Sequence, residues 1–422
     1  YKNNLRGLVM SDKKVICGID VGTTKIVAII AEYDGENISI VGFGETPSIG
    51  LERGVIVNVP KTIKTLETAI QKAENQCYHK VDTVYVGISG DHIKGHNASG
   101  VISVNDTNLN GFGTVITQED KENVLEHSKQ IPLSQDRRIL HTLSQHFNVD
   151  DSNPIEDPEG LTGNKLEAKV HLVTSSKKSE NDFETCFSQL DIDIAGFVLE
   201  PLASSYSILS DDEKKLGTIL IDIGGGTTDM VIWKNGGIID THVIPLGGES
   251  ITKDIAIGLS CELKIAEQIK IKYGSASEAL TEDEEIRING VEAQDNNITS
   301  SSKFISQIIE PRISEIFQIA KFQIDRMIDI DQIAFGVVIT GGGGKIKNIS
   351  DVAESIFNRQ IRIGKPFRVQ SIIEDIYNPK YSTAVGIIHY AITDKGNYNS
   401  RQGSFRGGPM KKIFSTIKDL FN

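Results

Sequence analysis

Two glycine-rich hairpins of one design constrain this chain more than any other feature. The first reads VICGID, VGTTK, IVAII over Val15–Ile30, and the second TILID, IGGGTTD, MVIW over Thr218–Trp233. Each begins as an apolar strand ending in an aspartate, turns through glycine and threonine, and continues as a second strand. Asp20 matches Asp222, Gly22 falls in the Gly224–Gly226 run, and Thr23–Thr24 matches Thr227–Thr228. A unit repeated so far along the chain predicts two related α/β domains facing each other.

The residue types specify a ligand class. Glycine lets the backbone take positive φ and approach a ligand closely, and successive N–H groups in such a turn form a concave site for phosphate oxygens. The hydroxyls of Thr23, Thr24, Thr227 and Thr228 add donors, and Lys25 adds positive charge. Asp20 and Asp222 suit a hydrated magnesium ion, which prefers a few carboxylates with water and phosphate. Neither hairpin is a Walker loop or a dinucleotide fingerprint, because both lead into a strand and not a helix. A third cluster, VVITGGGGK at Val337–Lys345, ends an apolar run in Gly341, Gly342, Gly343 and Gly344, before a predicted helix over Asn348–Asn358. Such a step brings backbone against the face and sugar of a nucleoside. The three clusters together predict ATP with magnesium.

This order of elements resembles the actin, heat-shock-70 and sugar-kinase superfamily, in which two α/β domains clamp a nucleotide and magnesium. Longer stretches resemble the bacterial FtsA family of cell-division proteins. They are GLERGVIVN at Gly50–Asn58, VGISGDHIKG at Val86–Gly95, AKVHLVT at Ala168–Thr174, LASSYSIL at Leu202–Leu209, IEPR at Ile309–Arg312, IRIG at Ile361–Gly364 and YSTAVGIIHY at Tyr381–Tyr390. The resemblance runs from about Lys14 to the last residue. It implies a two-domain actin-like (ribonuclease-H-like) fold with an inserted small α+β subdomain and a C-terminal amphipathic helix. The implied division is 13–87 with 170–216 for the first actin-like subdomain and 88–169 for the insert. Residues 217–244 with 331–394 form the second actin-like subdomain, 245–330 its companion, 395–408 a linker and 409–422 the terminal helix.

Inside the insert, Gly100–Val104 and Ile139–Val149 read as strands, and Gln118–Gln130 as a helix behind the cap residue Thr117. His141 and His146 read as strand side chains and not metal ligands, for want of a partner cluster. The acidic run Glu278–Glu285 reads as a solvated loop.

The same resemblance places Gly247, Gly248 and Glu249 near the ribose. It places Glu267 and Lys270, three apart on one helix face, at the nucleoside; the alternative is a surface ion pair. Glu200, in LEPLASS, corresponds to the glutamate that positions the attacking water in hydrolytic relatives. Family members differ there, so Glu200 permits slow ATPase activity without establishing it. The resemblance further implies self-association into filaments, contact with other division proteins, and binding of the FtsZ C-terminal peptide. The peptide is expected on the helix from about Ser302 through IEPR, where Lys303 and Arg312 either meet it or pair within the domain.

The end of the chain adds a second function. Lys395–Pro409, KGNYNSRQGSFRGGP, lacks apolar periodicity and reads as a flexible linker. Beyond it, Met410, Ile413, Phe414, Ile417, Leu420 and Phe421 fall on one helical stripe, with Lys411, Lys412 and Lys418 outside it. Pro409 suits the first helical turn. A basic amphipathic helix behind a linker is what a reversible anchor on an anionic membrane surface needs; the alternative is a helix docked on its own domain. The expected location is peripheral, on the cytoplasmic face of the cell membrane at the division site.

Bulk composition narrows the alternatives. The formal net charge of −13 and pI of about 5.3 argue against nucleic acid, which demands a basic face. No apolar run reaches the roughly 18–20 residues of a membrane span. Cys17, Cys77, Cys186 and Cys261 are scattered without metal or redox spacing and read as buried thiols. Three other readings share the superfamily. A small-molecule kinase has no use for the terminal helix, a chaperone ATPase needs a substrate domain after residue 395, and a pilus-assembly relative shares the insert but is not expected to carry the tail.

Overall fold

The computed structural model describes residues 13–104, 113–288 and 298–393. The tail residues predicted to meet the membrane, Met410–Phe421, lie outside them.

Three antiparallel strands open the first lobe: β1 (Lys14–Val21), β2 (Lys25–Tyr33) and β3 (Ile38–Pro47). Helix α1 (Val59–Glu74) follows, its amides capped by the Asn58 side chain. Strand β4 (Thr83–Ile88) then runs parallel to β1. The chain leaves this sheet for a smaller antiparallel one built from β5 (Lys94–Ser103), β6 (Arg137–Val149) and β7 (Lys165–Ser176). One face of that sheet is covered by α2 (Gln118–Ser128), which starts in a capping box between Thr117 and Asp120 and ends two residues before the predicted Gln130. Strand β5 begins six residues earlier than the predicted Gly100, and β7 runs past residue 169, where the sequence placed the end of the insert. His141 and His146 are indeed strand side chains, both on β6. Arg137 staples the two chain crossings at the root of the insert, donating from Nη2 to His92 O at 2.8 Å and Thr174 O at 2.9 Å. The chain returns through α3 (Lys177–Ser188) to β8 (Asp193–Leu199), parallel to β4 at the edge of the first sheet.

Helix α4 (Glu200–Ile208) carries the chain toward the second lobe. There β9 (Thr218–Ile223), β10 (Thr228–Lys234) and β11 (Gly237–Ile244) repeat the antiparallel opening. Helices α5 (Gly248–Leu259), α6 (Leu263–Tyr273) and α7 (Ser302–Met327) follow. The predicted IEPR helix is thus part of a 26-residue element that continues through Pro311. Parallel strands β12 (Val337–Thr340) and β13 (Ile361–Ile363), separated by α8 (Ile349–Phe357), complete the sheet. Helix α9 (Ser382–Thr393) closes the described chain against the first lobe.

The duplication is visible in topology. The first sheet runs β8-β4-β1-β2-β3, extended by the short strand Gln370–Ser371, and the second runs β13-β12-β9-β10-β11. The two orders are the same. Strands β1, β2, β9 and β10 are buried on both faces over most of their length, which explains their unbroken apolar runs. Helices α4 and α9 cross between the lobes at very close range. A Cβ on Gly386 of α9 would stand 1.9 Å from the carbonyl oxygen of Ala203 on α4, so only glycine permits the contact.

The insert also touches the second lobe. Gln145 Nε2 of β6 donates to the carbonyls of Ile238 (2.9 Å) and Ile239 (3.2 Å) on β11. His171 of β7 donates from Nδ1 to Asn97 Oδ1 at 2.8 Å and accepts from the Thr241 hydroxyl at 2.9 Å. All four cysteines are free; Cys17 and Cys186 are buried, whereas Cys77 and Cys261 are only half-buried.

Candidate functional site

The turns of the two hairpins face each other across a cleft of about 510 Å³, its open mouth included. Gly22, Thr23, Thr24 and Lys25 line one side and Gly224, Gly225, Gly226 and Thr227 the other. The turns are in contact: a Cβ on Gly225 would lie 2.4 Å from Thr24 Cγ2, and one on Gly226 2.5 Å from Thr23 Oγ1. Only glycine at both places lets the two turns approach this closely.

Four carboxyl groups converge on its floor: Asp20, Asp222, Asp229 and Glu200. Asp20 is the last but one residue of β1, with Lys25 Nζ 3.3 Å from its Oδ2. Asp222, at the matching place in β9, accepts at Oδ2 from Ser204 Oγ of α4 (2.5 Å) and Thr383 Oγ1 of α9 (3.1 Å). One oxygen therefore gathers both crossing helices. Asp229 stands on β10 in register with Asp222, accepting from Thr227 Oγ1 at 2.9 Å and from the Ser89 hydroxyl of the first lobe. Glu200 is the first residue of α4.

Crowding shifts these groups. Burial, then the charges of Asp20, Asp229 and Asp222, holds Glu200 well above the usual carboxylate range. Burial pushes Asp229 up to about 7, reinforced by Asp222 and Asp20 and opposed by the hydrogen bonds from Ser89 and Thr227. Asp222 is raised by burial against the pull of Ser204 and Thr383. Burial works against the charge of Lys25, but Asp20, Asp222 and Glu200 outweigh it and raise its pKa. The floor thus gathers four carboxyls around one ammonium, and crowding with burial makes three of them, Glu200, Asp229 and Asp222, hold their protons more tightly. Among the described residues no three His, Cys, Asp or Glu side chains are arranged as a direct metal-ligand set.

The third glycine cluster splits in two. Gly341 and Gly342 line the cleft. Gly341 has φ +84°, and a Cβ there would lie 2.3 Å from Asp222 Oδ1. Gly343 and Gly344 instead pack against Ile223 and Ile339.

The residues expected at ribose and base lie beside the second turn, outside the lining of the cleft. Gly248 and Glu249 donate from their amides to Gly224 O (2.9 Å) and Gly225 O (2.8 Å), pinning the start of α5 onto the second turn. Lys270 Nζ bonds Glu267 Oε2 (2.6 Å), Gly248 O (2.9 Å) and Thr252 Oγ1 (2.8 Å). A Cβ on Gly247 would lie 2.6 Å from Gly225 O. These groups brace the turn, and Thr228, through Leu246 O at 2.8 Å, does the same. None of them lines the cleft.

At the predicted peptide surface, Arg312 is occupied: it forks onto Asp254 of α5 (Nε–Oδ2 2.7 Å, Nη2–Oδ1 3.1 Å) and also meets Glu315. That selects intramolecular pairing for this side chain. Lys303 lies in the first turn of α7 beside the exposed Phe304.

Sequence reasoning missed Asp229, Ser89, Gly54, Thr383 and Lys380, all of which line the cleft. Only Asp229 carried a local signal, as the charged residue that follows Thr-Thr in the second copy as Lys25 does in the first.

Two family models match the chain, Cell division protein FtsA over residues 219–386 and the SHS2 domain inserted in FtsA over residues 90–174. Cell division protein FtsA of Pseudomonas aeruginosa is 36% identical, over 90% of this chain and 89% of its own. Those of Neisseria meningitidis serogroup B and Escherichia coli K12 are 35% and 31% identical, each over 97% of this chain and 99% of its own. Among solved structures, the PilM-PilN type IV pilus biogenesis complex aligns with a TM-score of 0.64 at 14% identity, covering 89% of this chain and 98% of that one. MreB5 of Spiroplasma citri bound to ADP aligns with a TM-score of 0.55 at 14% identity, covering 90% and 99%. These neighbours establish an actin-like fold with an inserted domain.

Proposed function

Because the chain belongs to the FtsA family of cell division proteins, we propose that it is a nucleotide-dependent tether of the division machinery. It binds ATP with magnesium in the cleft, assembles with other copies of itself into filaments, and links FtsZ filaments to the cytoplasmic membrane at the division site. The observation that carries the nucleotide reading is the convergence of two glycine turns and four carboxyl groups on one cleft. The turn amides, the threonine hydroxyls and Lys25 take the phosphates. Asp20, Asp222 and Asp229 hold magnesium, in part through water. Gly341 and Gly342 admit the nucleoside.

Catalysis is secondary in this reading. Glu200 keeps its proton more tightly than an ordinary carboxyl, so it orients water as a base only after a cation has lowered that affinity. Slow turnover, or none of consequence, is the expectation. The solved MreB 5 neighbour bound to AMPPNP supports nucleotide as the ligand class.

Membrane attachment is assigned to Met410, Lys411, Lys412, Ile413, Phe414, Ile417, Lys418, Leu420 and Phe421. No helix among the described residues is long and apolar enough to cross a membrane. Sedimentation with vesicles containing anionic lipid, comparing the full chain with one ending at Gly408, tests this. The full chain is expected in the pellet and the shortened one in the supernatant; equal pelleting removes the anchor. FtsZ added to the same tubes should pellet only with the full chain.

A further inference from the structure

His141 belongs to the insert by sequence yet reaches the centre of the molecule. Pairing along β6 and β7 matches Val173 with His141 and Thr174 with Ile139, so Leu140 is skipped in a bulge. A bulge re-aims the side chain beside it, and the imidazole lies buried at 6% exposure. Its Nε2 accepts from the amide of Leu199 at 3.0 Å. Its Nδ1, which carries the proton in that tautomer, donates to the Tyr390 hydroxyl at 3.3 Å. The rings of His141 and Tyr390 meet edge to face, centroids 5.5 Å apart. Burial lowers the pKa of His141 to about 4, so the ring is neutral at pH 7 and keeps both bonds.

Both partners lead to the cleft. Leu199 is the last residue of β8, the edge strand of the first sheet, and the N-cap of α4, with no side-chain cap of its own. Glu200 comes next and lines the cleft. Tyr390 lies on α9 two turns from Thr383, which holds Asp222. A single side chain of the insert therefore grips the start of one crossing helix and the flank of the other.

We propose that His141 is a positioning residue that fixes Glu200 through the Leu199 amide and carries occupancy of the cleft into the inserted domain. The proposal rests on the nucleotide reading above. When a nucleotide draws the carboxyl floor and the two crossing helices into a new arrangement, β6 must follow, because its bond to Leu199 leaves a buried amide without a partner if it does not.

Hydrogen exchange on the full chain, with and without magnesium and AMPPNP, tests it. In the unaltered protein the nucleotide is expected to slow exchange in peptides over residues 20–25 and 222–229, and also over 137–149. His141→Phe, which keeps a ring but removes the acceptor, should retain the cleft protection and lose the response in 137–149. His141→Gln, whose side-chain carbonyl accepts from Leu199, should restore it, which a purely space-filling role does not predict. Cleft protection with 137–149 unresponsive in the unaltered protein overturns this inference alone, whether or not the variants fold. An unprotected cleft overturns the nucleotide reading and this inference with it.

Discussion

The hydroxyl of Ser89 donates to Oδ1 of Asp229, so one hydrogen bond ties the root of the insert in the first lobe to the second hairpin. It joins the lobes at the cleft itself, on the carboxyl that also faces Asp222 across the hairpin. Asp229→Asn should weaken binding of magnesium–ATP by about ten- to a hundredfold, the range for losing a charged partner. Binding of ATP without magnesium should change far less. Titration of a fluorescent ATP analogue with and without the metal separates the two; equal losses in both would remove Asp229 from the cation site.

The raised carboxyls make stability pH-dependent in a direction that can be worked out. Asp229 binds its proton more tightly folded, at about 7, than unfolded, near 3.8. A group raised in the native state favours folding while protonated, so stability falls as pH climbs through that window. Glu200, raised as well, adds in the same sense. The ligand-free chain should melt several degrees lower at about pH 8 than at about pH 6. Asp229→Asn should flatten that slope, and magnesium–ATP should reduce it. Melting curves across the range, with and without ligand, provide the check.

Gly386→Ala places a methyl group where the Ala203 carbonyl stands. The crossing helices must separate, which carries Thr383 and Ser204 away from Asp222. Overpacking of this kind costs about 1–3 kcal/mol, read as a lower melting temperature. Nucleotide affinity should fall with it, although Gly386 does not line the cleft.

The fork of Arg312 on Asp254 joins α7 to α5 in a half-exposed position. Arg312→Ala should cost about 1 kcal/mol, the scale of a well-aligned pair that solvent still screens. If an acidic FtsZ peptide docks on this face, Lys303→Glu should weaken it more than Arg312→Ala does, since Arg312 is already engaged. Peptide titration of both variants beside thermal melts distinguishes the two effects.

What was legible in the sequence was local. The hairpins showed themselves because glycine, threonine and aspartate must sit a few residues apart to make such a turn, and Thr117 marked the start of α2 by its own capping chemistry. Ser89, Thr383 and Lys380 were invisible because their place at the cleft is set by tertiary contact between segments far apart in the chain. The contact of Lys270 with Gly248 was hidden for the same reason: spacing put Glu267 and Lys270 on one face of α6 but did not say what that face met. The sequence carried α7 through Pro311 to Arg312 but not on to Met327; the proline is tolerated because it sits on the exposed side, which is known only once the helix is packed.

The insert grows out of the first lobe but leans on β11 of the second, through Gln145 and the His171–Thr241 bond. The lobes are therefore not two jaws free to swing on α4 and α9. They are strutted on the side away from the hairpins, and any change of the angle between them has to slide the strut along β11 or lift it off. Opening the cleft and shifting the insert are therefore one movement and not two, with β11 as the rail on which both are read.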